Sequence, residues 1–349
     1  MARLSATATA LAALLLLAAC GDGGGEGEPT GEPGGEGSPT ATATADGVAP
    51  TSSTLPLGSD VTPPPLTPGT GEGPEPEGKI VFLSWRDGDR EIYSTNVDGS
   101  HPKNLTNDPG ADENPDVSPD GKRIVWTSDR DGDALHLYVM KIDGSGVTQL
   151  TFDPGGDNSP RWSPDGKVIA FTRGGSILLV DAAGGEPEVI YEGQDPATAP
   201  PCEAGGFVGG WSPDGQRIVY YSASVTENLG QVCTVDVDGS NVTVVVGDPP
   251  VYNVEPTWSR DGRYIAFRSI RAGNHDVYTY DFETETVRRL TDHPALDIEP
   301  NWSPDGEWIV FGSGRDNEFV DIYIMRKDGS DVRQVTKDPA KDAEPVWVP

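Results

Sequence analysis

From residue 79 onward, short apolar runs alternate with turns rich in Gly, Pro and Asp. Five of these runs have one form, in which two aliphatic residues precede an aromatic residue: Ile124–Trp126, Ile169–Phe171, Ile218–Tyr220, Ile265–Phe267 and Ile309–Phe311. Runs of β-forming residues without a polar position are typical of strands that are covered on both faces. The pattern therefore predicts short, fully buried strands.

A turn motif precedes each run and repeats along the chain. The copies are Val117–Gly121, Trp162–Gly166, Trp211–Gly215, Trp258–Gly262 and Trp302–Gly306. Four contain Ser-Pro-Asp-Gly, which fits a type I turn because Pro suits its second position and Gly its fourth. The tryptophan position recurs every 44 to 49 residues up to Trp347, and this period matches the blades of a β-propeller.

Each repeat also contains a third and a fourth strand. Third strands such as Leu137–Met140 and Ile322–Met325 are followed by Asp-Gly pairs, as at Asp143 and Asp328, which indicate a hairpin. The fourth strand ends at a segment of the type Gln149–Thr151. The repeat thus predicts a four-stranded blade.

The two ends of the repeat region complement each other. Lys79–Thr106 supplies a second, third and fourth strand without a first, and Glu344–Trp347 supplies a first strand alone. Joining them makes one blade from both termini and removes the free sheet edges. We predict an all-β, six-bladed β-propeller over residues 79–349, closed by the C-terminal strand.

The N-terminal residues have a different composition. Residues 1–19 contain an early Arg3, an apolar stretch and small residues before Cys20, which predicts a cleaved signal peptide. Residues 20–78 are rich in Gly, Pro, Thr and acidic residues, and the first basic residue after them is Lys79. We therefore expect a disordered, extended stalk.

Two family resemblances follow from these motifs. The repeat Pro-x-Trp-Ser-Pro-Asp-Gly-Lys-x-Ile-Ala-Phe resembles that of the TolB propeller family, which implies the fold and an envelope scaffold that binds protein. Leu17–Cys20 resembles the bacterial lipobox, which implies a lipid on Cys20 and a membrane-anchored protein facing the periplasm or the cell exterior. A plain secretion signal with a chance cysteine is the alternative.

Charge and cysteine content limit the partners and the compartment. The formal net charge of −31 argues against nucleic acid and against contact with anionic lipid other than through the anchor. Cys202 and Cys233 remain after Cys20, and in an oxidising compartment we expect them to form a disulfide that holds an inserted loop, with two buried thiols as the alternative.

Catalytic motifs are scarce in this sequence. It contains neither a Gly-x-Ser-x-Gly elbow nor a His-Glu-x-x-His motif, and its four histidines do not recur in register. Asp129–Asp133 begins like a calcium loop, but Met140 occupies the twelfth position, where an EF-hand needs a bidentate acid. Arg86, Arg130, Arg271 and Arg315 recur two residues after a serine, and we expect them to form structural ion pairs.

Acidic residues ahead of the tryptophan position are the best candidate site. We expect them to gather at one mouth of the channel and to bind Ca²⁺ or a basic segment of a partner. Acids that only stabilise their own loops are the alternative. The seven candidates are Asp112, Asp157, Glu255, Asp297, Glu299, Asp342 and Glu344.

These observations favour a monomeric, non-catalytic envelope lipoprotein that binds an envelope or extracellular protein. No cofactor other than the candidate Ca²⁺ is indicated. The competing hypothesis is a metal-assisted propeller lyase or hydrolase that acts on an envelope or extracellular polymer, and the lack of converging histidines argues against it.

Overall fold

The computed structural model describes residues 74–349 except 133, 195–201, 225–228, 248–250 and 317–318. The predicted signal peptide, Cys20 and nearly all of the predicted stalk lie outside the described residues. Within them the secondary structure consists of strands, and no helix is long and apolar enough to cross a membrane.

Within the described ranges, twenty-four strands form six four-stranded antiparallel sheets, as the sequence predicted. The inner strands are β4 (Asp112–Val117), β8 (Asp157–Trp162), β12 (Phe207–Trp211), β16 (Asn253–Trp258), β20 (Asp297–Trp302) and β24 (Asp342–Trp347). The second strands are β1 (Lys79–Ser84), β5 (Arg123–Ser128), β9 (Val168–Arg173), β13 (Arg217–Ser224), β17 (Tyr264–Ser269) and β21 (Trp308–Ser313).

The third and fourth strands complete each blade. The third strands are β2 (Glu91–Asn96), β6 (His136–Lys141), β10 (Ser176–Asp181), β14 (Leu229–Asp236), β18 (Asp276–Asp281) and β22 (Asp321–Arg326). The outer strands are β3 (Lys103–Asn104), β7 (Thr148–Gln149), β11 (Glu188–Tyr191), β15 (Thr243–Val246), β19 (Thr286–Arg289) and β23 (Arg333–Gln334). Blade 1 has the order β24-β1-β2-β3, which confirms the predicted closure.

The hydrophobic core is divided among the interfaces between blades. Each of six clusters of buried residues combines side chains from two neighbouring blades. At the closure, Phe82 and Tyr93 of blade 1 pack with Trp308 and Ile322 of blade 6. Each sheet is therefore covered on both faces by its neighbours, which explains why its central strands contain apolar runs rather than alternating positions.

The Ser-Pro-Asp-Gly turns are held by a side-chain network that repeats in each copy. In the first copy Gly121 N–H donates to the Ser118 carbonyl at 2.8 Å, and Ser118 Oγ donates to Asp120 Oδ1 at 2.7 Å. The backbone N–H of Arg123 then donates to Ser118 Oγ at 2.9 Å. The serine and the aspartate thus fix the turn that leads from the inner strand into the second strand.

The Asp-Gly hairpins between third and fourth strands pack directly against the preceding blade. Gly239 has a φ of +81°, and a Cβ atom at this position would lie 2.1 Å from the carbonyl oxygen of Ile190 in blade 3. Gly99, Gly144 and Gly329 are in equivalent contact with Val335, Leu105 and Leu290. The glycine is required here by both backbone conformation and blade spacing.

Gly239→Ala is accordingly expected to lower the free energy of unfolding by about 2–4 kcal/mol, because the new methyl group meets a backbone atom that cannot rotate away. Urea denaturation followed by tryptophan fluorescence measures this change. Gly132→Ala is the matched control, since its Cβ would meet nothing within 4 Å. Equal stability of the two variants would contradict the role of this contact between blades.

Candidate functional site

The seven predicted acids separate into two groups with different environments. Four aspartates occupy the start of their inner strands, five residues before the tryptophan position, and all are fully buried: Asp112, Asp157, Asp297 and Asp342. Each pairs with an arginine at 2.7 to 2.9 Å, as Asp112 does with Arg130 and Asp342 with Arg86. These aspartates therefore lie within the blades rather than in the channel, which departs from the predicted gathering of all seven.

Three of the four arginine partners, Arg86, Arg130 and Arg315, are among those that the sequence predicted to form structural ion pairs, and the fourth is Arg173. Arg130 donates from Nη2 to Asp112 Oδ1 at 2.8 Å and from Nε to Ser128 Oγ at 3.0 Å. Its guanidinium also lies 5.2 Å from the ring of Tyr138. Arg86 and Arg315 repeat this unit, and in blade 5 Arg271 donates instead to the side-chain oxygen of Asn253.

A β-bulge separates these aspartates from the positions two residues later. The pairing of inner and second strands shifts register at this point in every blade. In blades 5, 6 and 1 the bulged residue is Glu255, Glu299 or Glu344, with φ between 51° and 55°. The bulge breaks the two-residue alternation of the strand, so residues two apart no longer share an environment.

The three glutamates lie side by side at the channel mouth where the inner strands begin, which we call the acidic mouth. Here they line a cavity of about 140 Å³. Asn114, Ser159 and Val208 occupy the same position in the other three blades. One half of the mouth thus carries carboxylates and the other half does not, and Arg161 of blade 3 also lines this cavity.

A chain of hydrogen bonds links the glutamates across the blades. The N–H of Glu299 donates to Glu255 Oε2 at 2.9 Å, and the N–H of Glu344 donates to Glu299 Oε2 at 2.6 Å. The N–H of Asn114 continues the chain by donating to Glu344 Oε2 at 2.6 Å. Glu255 also pairs with the buried Arg268 at 2.9 Å.

This proximity changes how the carboxyl groups titrate. Burial, followed by repulsion from the Glu299 carboxylate, raises the pKa of Glu344 to about 8. Burial and the neighbouring Glu255 carboxylate raise the pKa of Glu299 as well. Glu344 therefore holds its proton more strongly than an isolated glutamate does, and a bound cation would favour its release.

Exposed carboxylates in the surrounding loops extend the negative charge of this end of the propeller. They are Asp87, Asp131, Asp153, Asp292 and Asp316. Phe207, which is 38% exposed, stacks on Tyr221 with a centroid distance of 5.2 Å, and Tyr221 lines the cavity. The acidic mouth therefore offers charge and one aromatic contact.

The opposite mouth, where the inner strands end, was not predicted from the sequence. It contains a cavity of about 280 Å³ lined by tryptophans and turn prolines together with Asp116, Arg161 and Arg260. We call it the arginine mouth. Arg260 stands where four other turns have proline, at Pro119, Pro164, Pro213 and Pro304, and this departure from the repeat is the signal that could have identified it.

The candidate calcium ion lacks a ligand set in the part of the chain that the structure describes. No group of three or more His, Cys, Asp or Glu side chains there is arranged to hold a metal ion. Oxygen atoms of Glu255, Glu299 and Glu344 already accept hydrogen bonds from backbone amides. No cofactor is indicated by the described residues.

The two cysteines lie in the blade 4 region and form a disulfide. Cys202 precedes β12, Cys233 lies in β14, and their Cα atoms are 5.9 Å apart. Tyr220 Oη donates to the Cys202 carbonyl at 2.7 Å. The bond joins the segment between blades 3 and 4 to the third strand of blade 4.

The fold and the repeats match a known family. The family model described as TolB beta propeller domain matches residues 73–202 and 176–349. This chain belongs to that family. The TolB propeller is thus the framework on which both channel mouths are built.

Curated relatives match short segments of this TolB-family chain. The Tol-Pal system protein TolB of Francisella tularensis is 37% identical over 65 residues, 19% of this chain and 15% of that protein. An uncharacterized protein of Agrobacterium fabrum is 31% identical over 83 residues, 24% of this chain and 27% of that protein. The matches span less than a third of these relatives' lengths.

Solved structures share the propeller fold over a larger region. TolB from Acinetobacter baumannii has a TM-score of 0.67 at 23% identity, covering 78% of this chain and 67% of that one. A chain of a nidogen/laminin complex has a TM-score of 0.60 at 13% identity, covering 78% of this chain and 98% of that one. At these identities the similarity concerns the fold alone.

The raised pKa of Glu344 makes a prediction about stability. Its carboxyl group is protonated more readily in the folded state than in the unfolded state, whose value is about 4.5. Wild-type stability should therefore fall as pH rises from about 4.5 through 8. Glu344→Gln removes the contribution of Glu344 to this decline. Between pH 5 and pH 8 the variant should therefore lose on the order of 3 kcal/mol less stability than wild type.

Urea denaturation at the two pH values measures the difference. Glu188→Gln, a change at an exposed residue of an outer strand, serves as the control and should keep the wild-type pH dependence. If Glu344→Gln also kept it, the proposed crowding of carboxyl groups at the acidic mouth would be wrong.

Proposed function

We propose that this chain is a non-catalytic, lipid-anchored protein of the cell envelope that binds a partner protein through the acidic mouth of its TolB-type propeller. The observation that carries the proposal is the unequal distribution of glutamate around that mouth. If the repeat itself required a glutamate at this position, all six blades would carry one. Only three blades do, with Glu255, Glu299 and Glu344. Asn114, Ser159 and Val208 maintain the same bulge or strand position without a carboxylate.

The chemistry of the mouth favours a basic segment of the partner. Three glutamates and the acidic loops around them attract a cationic chain and accelerate its encounter. A Lys or Arg side chain would relieve the repulsion between Glu299 and Glu344, and Phe207 would contact an adjacent apolar residue. A cavity of about 140 Å³ accommodates side chains of an extended segment rather than a folded domain.

The relatives support the location and the class of function. The curated TolB relative is described as a Tol-Pal system protein. We extend to this chain the role of an envelope protein that assembles with other proteins, and its partner is identified here only by its basic character. A metal-assisted lyase or hydrolase has less support, because the described residues offer no metal ligand set.

Photo-crosslinking in intact cells tests the binding proposal. A crosslinking amino acid at Phe207 should give a discrete adduct, whereas the same group at the exposed Val147, which precedes outer strand β7, should not. Combined substitution E255Q, E299Q and E344Q should reduce the adduct several-fold, because it removes the charges that attract the partner. Identical adducts from both positions, or an adduct that the triple variant leaves unchanged, would contradict the acidic mouth as the binding site.

The membrane anchor has its own test. Cells supplied with an alkyne analogue of palmitate should label the wild-type protein but not Cys20→Ala, because the thiol is the predicted acceptor. The wild-type chain should also sediment with membranes, and the variant should not. Labelling of Cys20→Ala equal to wild type would refute lipidation at this residue without affecting the binding proposal.

A further inference from the structure

The arginine mouth differs from the acidic mouth in charge and in the elements around it. Its cavity of about 280 Å³ lies at the end of the channel where Ser-Pro-Asp-Gly turns surround the inner strands. This volume is near the lower limit of ligand pockets, about 300–1000 Å³. It suits a few residues of extended chain.

Arg260 has no structural role in its own turn. Gly262 N–H still donates to the Ser259 carbonyl at 3.0 Å, as in the turns that carry proline, so the arginine is not needed to form it. Its side chain is exposed, and among the described residues it forms no hydrogen bond or ion pair. A cation without a partner therefore stands at the mouth of the channel in a strongly acidic protein.

Arg161 supplies a second, preorganised cation. Its Nε donates to the Gly209 carbonyl at 3.0 Å and its Nη1 to the Pro160 carbonyl at 2.8 Å. The remaining guanidinium donors have no partner among the residues that the structure describes. Arginine presents paired donors that match a carboxylate, so Arg161, held in place at a cavity that Arg260 also lines, is suited to bind one.

Asp116 is the acid that shares this mouth with the two arginines. Its Oδ2 accepts a hydrogen bond from the backbone N–H of Trp162 at 2.7 Å, so this oxygen faces the neighbouring inner strand β8. Burial raises the pKa of Asp116 to about 6. Among the side chains that line the cavity, the two arginines outnumber the single acid Asp116, and Thr257 and Asn301 add neutral polar groups.

The chain that precedes the propeller joins it at this same end. Trp347, which lines the cavity, donates its indole N–H to the Glu77 carbonyl at 2.9 Å, and Glu75 pairs with Arg333 at 2.6 Å. Residues 60–73 come just before, and they contain Asp60, Glu72 and four prolines without a base. Fourteen extended residues reach about 45 Å, so Asp60 can return from Pro74 to the cavity.

We propose that the acidic, proline-rich segment Asp60–Glu72 binds in the arginine mouth of its own propeller, with a carboxylate on Arg260 and Arg161. Tethering raises the effective concentration to the millimolar range, so a weak ion pair suffices for substantial occupancy. Proline lowers the entropy cost of holding the segment extended. Binding would shorten the link between the propeller and its anchor, and it is independent of the partner proposed for the acidic mouth.

Paramagnetic NMR on the mature chain, residues 20–349 with Cys20→Ser, tests this proposal. A nitroxide on Leu66→Cys should weaken the indole N–H signals of Trp162, Trp211 and Trp302 at the arginine mouth at least twofold more than that of Trp85. Trp85 follows β1 and lies at the opposite end of the propeller. Its signal therefore serves as the internal reference.

Arg260→Pro should abolish the selective weakening, and the fold should tolerate it because proline is present in four other turns. Lys122→Gln, which removes an exposed cation beside a neighbouring turn, is the matched control and should retain it. Asp60→Asn combined with Glu72→Gln should act like Arg260→Pro, since the carboxylates are the proposed ligands.

Equal weakening of all indole signals, or selective weakening that survives Arg260→Pro, would overturn the proposal. Weakening that survives the neutralised segment but disappears in Arg260→Pro would also overturn it, because the arginines would then hold something other than these carboxylates. Each of these outcomes leaves the crosslinking result at the acidic mouth unaffected.

Discussion

Mutual burial of neighbouring blades is the constraint on which the rest of this structure depends. Because each sheet has an apolar layer on both faces, no blade has a core of its own, and its stability comes from the two blades beside it. The first and last blades would each expose one face in an open array. Pairing of β24 with β1 removes both exposed faces at once, so closure of the ring is an energetic requirement.

Polar networks maintain this packing at the two ends of the blades. At one end, buried aspartates such as Asp112 hold arginines that also cover a tyrosine of the same blade. At the other end, the serine and aspartate of each turn satisfy backbone amides that would otherwise be unpaired. Most of the recurring charged residues thus have a local structural function, which is why repetition alone does not identify a binding residue.

Functional character arises where the repeats differ. Glu255, Glu299 and Glu344 make half of one mouth acidic, and Arg260 replaces a turn proline at the other. The same ring therefore presents three glutamates at one end, and at the other an arginine that forms no hydrogen bond or ion pair with the residues that the structure describes. A chain that enters at the arginine mouth and a partner attracted to the acidic mouth would approach from different ends of the channel, where Arg260 lines one cavity and the glutamates the other, while Arg161 lines both.

Much of the fold could be predicted from the sequence, because strand, turn and period are local properties that recur along the chain. The all-β class, the four-stranded blade, the count of six and the closing strand all follow from motifs such as Ser118–Gly121 and from the unmatched Glu344–Trp347. The candidate site was predicted less well. Asp112 and Glu344 are both acidic and lie only two positions apart in the repeat. A bulge with positive φ at the glutamate position nevertheless places the aspartate within its blade and the glutamate at the channel mouth. Only the closed ring brought Arg161 and Arg260 to one cavity, because the two residues are about one hundred positions apart in the chain and their blades meet only around the channel axis.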